Sequence, residues 1–242
     1  MKVLIFQHVD CEGPGAFGPM MYRDGITRET VLFERGDAIP PLEDHDALWV
    51  MGGPMDVWET DAHPWLVAEK AAIRRWVTEL GRPYLGLCLG HQLLADALGG
   101  ACGPQVPAEI GVYDVDLTEA GRADPLLQGV PPRHDALQWH SVQVTRPPEG
   151  AVVLASSPVC PVQAMRVGQN AWSLQYHVEA EPDTVATWAG VPAYRRALVE
   201  TLGEGGYDRI LAEAGDKMPA FARMAETLYA NFLSATGLRQ RL

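Results

Sequence analysis

Apolar positions along the chain follow two spacings, and each marks a different kind of element. Lys2-Val3-Leu4-Ile5-Phe6-Gln7 is a short, nearly continuous apolar run, the pattern of a parallel strand buried on both faces. Residues 26–33 mix Thr, Val, Leu and Phe and predict a second strand. Residues 46–51 predict a third, which ends at Gly52-Gly53-Pro54-Met55. Over 65–80 the spacing becomes helical: Leu66, Ile73, Trp76, Val77 and Leu80 share one face, Pro64 suits the first turn and Gly81 closes it. That helix leads into Pro83-Tyr84-Leu85-Gly86-Leu87-Cys88, an apolar strand with a tight turn. A second helix follows over 89–98 and stops at Gly99-Gly100.

Residues 101–176 read as mostly β. Stretches 111–117 and 137–144 alternate apolar and polar residues, as half-buried strands do. Stretches 151–155, 162–167 and 170–176 are further short strands between Pro and Gly turns. After Glu181-Pro182 the pattern turns helical, with short candidates at 183–188, 193–202 and 207–214. A last amphipathic helix is predicted over 219–235, and its stripe of Phe221, Met224, Leu228, Phe232 and Leu233 is expected to pack on the rest of the chain. No repeat or low-complexity segment interrupts this order.

Composition narrows the picture. A chain of 242 residues can bury one full core with a small appendage. A formal charge of -12 opposes nucleic acid and anionic membrane surfaces as partners. No apolar run approaches membrane-spanning length, and no basic-then-apolar leader opens the sequence. Cys11, Cys88, Cys102 and Cys160 show neither a disulfide framework nor paired metal-ligand spacing. The expectation is a cytoplasmic protein without metal or cofactor.

The chemistry centres on Cys88. Gly86 and Gly90 flank it at two-residue spacing, giving Gly-x-Cys-x-Gly, the thiol version of the nucleophile elbow. The helix beginning at Leu89 aims free N–H groups and a positive dipole end at the sulfur, which favours thiolate. A lone cysteine at a strand end is more often apolar filler. The glycine frame decides for a nucleophile, provided that a base and an oxyanion hole stand elsewhere. Gly52-Gly53 can turn a backbone N–H outward and supply one oxyanion donor. His177 is the candidate base, because Glu179 lies two residues on and therefore on the same side of an extended segment.

Other candidates weigh less. His45, His63 and His134 sit in polar, loop-like stretches; His91 on the elbow helix is expected to bond locally, and His140 to lie beside the site without an assigned role. The loop His8-Val9-Asp10-Cys11-Glu12-Gly13-Pro14-Gly15 leaves its strand at the C-terminal end, where ligands sit in open α/β sheets. Cys11 lacks the glycine frame and is set aside. Glu12 is read first as a solvated loop charge and only second as a substrate contact.

Met51-Gly52-Gly53-Pro54-Met55, Gly86-Leu87-Cys88-Leu89-Gly90-His91-Gln92 and Leu174-Gln175-Tyr176-His177-Val178-Glu179, in this order, resemble the class I, triad-type glutamine amidotransferases. Within them the chain looks most like the stand-alone GMP synthase-like group. The likeness covers about residues 2–181. It implies an α/β fold with a flavodoxin-like, mixed but mainly parallel sheet flanked by helices. An amidotransferase domain at 1–181 would carry a helical C-terminal extension at 182–242. It further implies a triad of Cys88, His177 and Glu179, an oxyanion hole from the N–H groups of Gly53 and Leu89, and glutamine contacts from Gln92, Ser141 and Val142. Two departures stand out. Val178 replaces the proline usual between the triad His and Glu, and no ATP-pyrophosphatase module follows, so GMP synthesis by this chain alone is not expected.

Three functions stay open at this stage. The chain could be a glutaminase that delivers ammonia to a separate acceptor enzyme. It could act alone as a γ-glutamyl peptidase or transferase, on γ-glutamyl peptides or amines. It could be a non-catalytic binding module that kept the fold, which an intact Cys, His and Glu set argues against.

Overall fold

Alternation within the first strand decides the layering of the molecule. The computed structural model describes residues 1–241. In β1 (Lys2–Gln7), Val3 and Ile5 join one apolar cluster while Leu4 and Phe6 join another, so the strand is buried on both faces. The same division recurs in β3 (Ala47–Val50) and β4 (Tyr84–Leu87), where Trp49 and Leu85 face one layer and Leu48 and Tyr84 the other. Period-two side chains with no polar face are what a central parallel sheet requires.

Nine strands form one sheet in the order β2-β1-β3-β4-β9-β8-β7-β5-β6, with β2 at Thr27–Leu32. The remaining strands are β5 (Ala101–Leu117), β6 (Arg133–Arg146), β7 (Ala151–Ser156), β8 (Ala164–Val167) and β9 (Ala171–Leu174). The first five in spatial order pair in parallel, and the rest pair antiparallel. The sheet is therefore mixed, as expected of the flavodoxin-like class.

Helices cover both faces. Leu66 and Ile73 of α2 (Trp65–Arg75) and Leu93 and Leu94 of α3 (Leu89–Ala97) fill one cluster; a π-type turn at Trp76–Leu80 continues α2. The opposite cluster contains Phe17 of α1 (Phe17–Arg23) and Phe221, Leu228 and Phe232 of α7 (Gly206–Ala235). α4 (Glu119–Ala123), α5 (Thr184–Ala189) and α6 (Pro192–Leu202) complete the chain. No helix among the described residues is long and apolar enough to cross a membrane.

The C-terminal helices depart from the pattern-based expectation. The predicted helices at 207–214 and 219–235 are one helix of 30 residues that runs through Pro219. Proline removes one N–H and crowds the carbonyl four residues back. Here Pro219 is exposed and the residue four back is Gly215, also exposed, so water can serve the freed carbonyl. The two short helices α1 and α4 lie in stretches whose periodicity is too brief to show.

Phe232 packs edge-on against Trp49 at 5.5 Å and Trp172 at 6.2 Å, which ties α7 to the strand ends nearest the site. Replacing Phe232 by Ala should therefore cost about 3–5 kcal/mol. Urea unfolding followed by tryptophan fluorescence would show the midpoint drop; an unchanged midpoint would mean that α7 is not part of the core.

Candidate active site

Strand register brings the separated motifs to one edge. Val50 pairs with Gly86, and Leu87 pairs with Leu174, so the chain segments after β3, β4 and β9 leave the sheet side by side. The Cys88 N–H donates to the Leu174 carbonyl at 2.8 Å, and the backbone then turns sharply. Cys88 has φ 49° and ψ −103°, and is the one non-glycine residue with positive φ among the described residues. Such a conformation costs on the order of 1–3 kcal/mol and persists only where the surroundings enforce it. A Cβ at Gly86 would lie 2.6 Å from the Gly90 carbonyl oxygen, and one at Gly90 would overlap the Val50 carbonyl. Both glycines are thus needed for strand and helix to cross this closely, and Tyr84 Oη seals the crossing by donating to Gly90 O at 2.7 Å.

His177 stands three residues beyond β9. Its backbone N–H donates to Leu137 O at 2.9 Å, and its ring Nδ1 lies 2.7 Å from Glu179 Oε1. Trp188 of α5 packs edge-on against the imidazole at 4.4 Å. Glu179 is fixed in turn by the loop after β1: the Ala16 N–H donates to its carbonyl at 2.9 Å, and a Cβ at Gly15 (φ +48°) would overlap that oxygen. Val178, between them, is fully buried in the core, so packing holds this turn.

No hydrogen bond joins Cys88 to His177 among the described residues. The sulfur is instead met by Gln175 Nε2 at 3.6 Å. Gln175 was not singled out in the sequence, although it lies two residues before His177 and so on the same side. Its Oε1 accepts from Gln92 Nε2 at 3.1 Å, and Gln92 also donates to Val142 O at 3.1 Å. Cys88, Gly53, Gln92, His140, Ser141 and Val142 line one cavity of about 300 Å³. The Gly53 N–H meets no acceptor among the described residues, while the Leu89 N–H is bonded to the Cys88 sulfur.

The family model for glutamine amidotransferase class-I matches residues 26–187. This chain belongs to the class-I glutamine amidotransferases. It is 33% identical to the glutamine amidotransferase-like protein YfeJ of Salmonella typhimurium, over 76% of this chain and 78% of that one. A second relative is one of the separate subunits of the glutamine-hydrolyzing GMP synthase of Sulfolobus acidocaldarius, 32% identical over 70% of this chain and 84% of its own length. The chain is 38% identical to the glutamine-hydrolyzing GMP synthase of Aeropyrum pernix over 64% of its length, but spans only 27% of that protein. Among solved structures, the glutamine amidotransferase of Methylobacillus flagellatus superposes with a TM-score of 0.86 at 27% identity, covering 97% of this chain and 95% of the other.

Electrostatics at the amidotransferase elbow differ from the simple helix-dipole expectation. Burial, followed by the charges of Glu12 and Glu179, pushes the Cys88 thiol well above its ordinary value of 9.0. The Leu89 N–H and Gln175 pull the other way and do not prevail. Cys88 therefore rests as a thiol, and its proton has to leave during the reaction. Glu12 is the second correction. It is 4% exposed, not solvated, and neither carboxyl oxygen has a hydrogen-bond partner among the described residues. Burial and the neighbouring Glu179 charge raise its pKa far enough that it carries a proton at neutral pH. Cys11 beside it is half-buried, and burial and Glu12 push its thiol up to about 11.

His91 bonds locally as expected, to Ser173 Oγ at 2.8 Å and Val162 O at 3.0 Å. His140 lies on the cavity wall and joins a buried network, with Nε2 3.1 Å from both Gln138 Oε1 and Glu109 Oε2. Ligand atoms of Glu109, His140 and Cys160 fall within 4.8 Å of one another. Glu109, however, already accepts from Ser157, Gln105 and Gln163, donors that a cation would have to displace.

Two outcomes test this geometry. Alkylation of Cys88 by iodoacetamide, read by peptide mass, should be slow at pH 7 and still rising at pH 9, because the thiol titrates above its ordinary range. A plateau below pH 8 would contradict the buried thiol. Gly90→Ala should lower stability by about 1–3 kcal/mol through overpacking, checked by thermal melting; full stability would show that the crossing is looser than described.

Proposed function

We propose that this chain hydrolyses a γ-glutamyl amide through a Cys88–His177–Glu179 triad and a γ-glutamyl thioester, releasing ammonia from glutamine. Substrate entering the cavity places its side-chain carbonyl over Cys88. As the sulfur attacks, its proton passes to His177, which Glu179 orients through Nδ1. The new oxyanion is held by the N–H groups of Gly53 and Leu89, with the Leu89 N–H exchanging the sulfur for the oxygen. The protonated imidazole gives its proton to the departing ammonia. Water, deprotonated by His177, then cleaves the thioester and returns glutamate and the thiol. Gln92, Ser141 and Val142 would hold the amino-acid end.

The observation that carries this function is the strained elbow at Cys88, opening into the same cavity as the free Gly53 N–H. Family membership and the likeness to a separate component of a glutamine-hydrolyzing GMP synthase support glutamine as substrate. They also support delivery of the ammonia to a separate acceptor enzyme.

A second substrate class is favoured by one feature. Ala193, Tyr194, Arg196, Ala197 and Glu200 of α6 form one wall of the cavity, and α6 lies beyond residue 187, where the match to the family model stops. A wall contributed by this chain's own extension gives the leaving group a built surface, as a stand-alone γ-glutamyl peptidase or transferase needs.

Incubation with glutamine and a panel of γ-glutamyl peptides and amines, followed by intact mass, should trap a glutamyl adduct on Cys88. Cys88→Ala should abolish both adduct and turnover; activity surviving in that variant would remove the thiol from the mechanism. If peptides are substrates, Arg196→Ala should raise KM for those with a free carboxylate by about tenfold, the scale of one charge-assisted contact. Glutamine kinetics should stay within twofold, and equal effects on both would exclude α6 from leaving-group recognition.

A further inference from the structure

Gly52 and Gly53 form a peptide unit that their own sequence leaves free to rotate, because neither residue restricts the backbone. The structure nevertheless fixes its carbonyl. His8, directly after β1, places Nδ1 2.7 Å from Gly52 O, and because a carbonyl can only accept, Nδ1 carries the hydrogen. The opposite ring nitrogen, Nε2, lies 2.9 Å from Oε1 of Glu69 in α2. Both side chains are fully buried. The imidazole is also sandwiched, with the Phe33 ring stacked at 5.8 Å and the Trp65 ring at 5.6 Å. Two aromatic faces around a ring bonded to a carboxylate suit an imidazolium. Burial alone would lower the His8 pKa, but the Glu69 charge and hydrogen bond, with the Gly52 bond, raise it.

Gly52 C=O and Gly53 N–H belong to the same planar peptide group. Fixing the direction of the carbonyl fixes the N–H on the opposite side. A positive donor on the oxygen also polarises the group and strengthens the N–H as a donor, as in a cooperative hydrogen-bond chain. The rest of the box is steric: a Cβ at Gly53 would lie 2.9 Å from His8 Cβ, Leu89 Cδ2 and Met55 Sδ.

We propose that His8 and Glu69 are positioning residues for the oxyanion hole, a relay that aims the Gly53 N–H at the developing oxyanion through the Gly52 carbonyl. This rests on the thioester chemistry proposed above. Neither residue touches substrate, so the relay acts on the transition state and leaves substrate binding alone.

The test compares Glu69→Gln, His8→Ala and His8→Asn with the unaltered enzyme, using the best substrate from the γ-glutamyl panel. Complete loss of one oxyanion donor costs about 10²–10³-fold in kcat, so His8→Ala should lose about a hundredfold. Glu69→Gln, which keeps the donor but removes the charge, should lose about tenfold. His8→Asn, whose amide nitrogen can replace Nδ1, should recover part of the loss, with KM constant throughout. Affinity for a γ-glutamyl aldehyde, which forms a tetrahedral thiohemiacetal, should fall in step with kcat. Alkylation by iodoacetamide, which forms no oxyanion, should not change. Wild-type kcat in Glu69→Gln and His8→Ala would overturn the relay. So would a loss in which KM, melting temperature and alkylation all move together, since that is the mark of a merely structural ion pair. An unaltered enzyme that turns over no member of the panel and binds no aldehyde would instead bring down the thioester chemistry, and the relay with it.

Discussion

Parallel pairing of β4 with β9 is the contact on which everything at the active edge depends. These strands lie more than eighty residues apart in sequence, yet Leu87 opposite Leu174 sets Cys88 beside Gln175 and brings His177 to the same rim. Sliding the register by one residue would turn every side chain of β9 to the other face and separate the thiol from the imidazole. The pairing is guarded by burial on both sides, with Leu87, Trp172 and Leu174 in one cluster and Tyr84 and Ala171 in the other.

Around that pairing the molecule assigns each part of the site to a different neighbour. The loop after β1 holds Glu179 from one side through Ala16, and α5 holds the His177 ring from the other through Trp188. The loop after β3 supplies the Gly53 N–H, and α2 reaches it by way of His8. Each catalytic candidate is thus located by an element that does not contain it. Val178 fits this arrangement: where a proline would stiffen the turn covalently, a fully buried side chain anchors it by packing.

Much of this was legible in the residue pattern. The apolar runs gave the parallel strands, the glycines at 86 and 90 gave the elbow, and the two-residue step from His177 to Glu179 gave their shared side. What escaped has a common physical cause, namely that it arises from contacts between distant segments. Helix-end arguments favour a thiolate, but burial and two carboxyls from other loops outweigh them at Cys88. Glu12 looks like a loop charge until the loop folds onto Gly52, where its carboxyl is sealed away from water. His8 carries no motif at all, and its place is set by Gly52 and Glu69, which lie 44 and 61 residues further along. Pro219 reads as a helix start because local rules cannot tell an exposed helix face from an interior one.

The wall formed by α6 has a consequence for how such a protein can change. Bond breaking is written in residues up to 179, whereas the surface facing whatever departs is written in 193–200. Mutation can remodel one without disturbing the other. A lineage carrying this scaffold is therefore free to exchange what it releases while the cutting apparatus stays as it is.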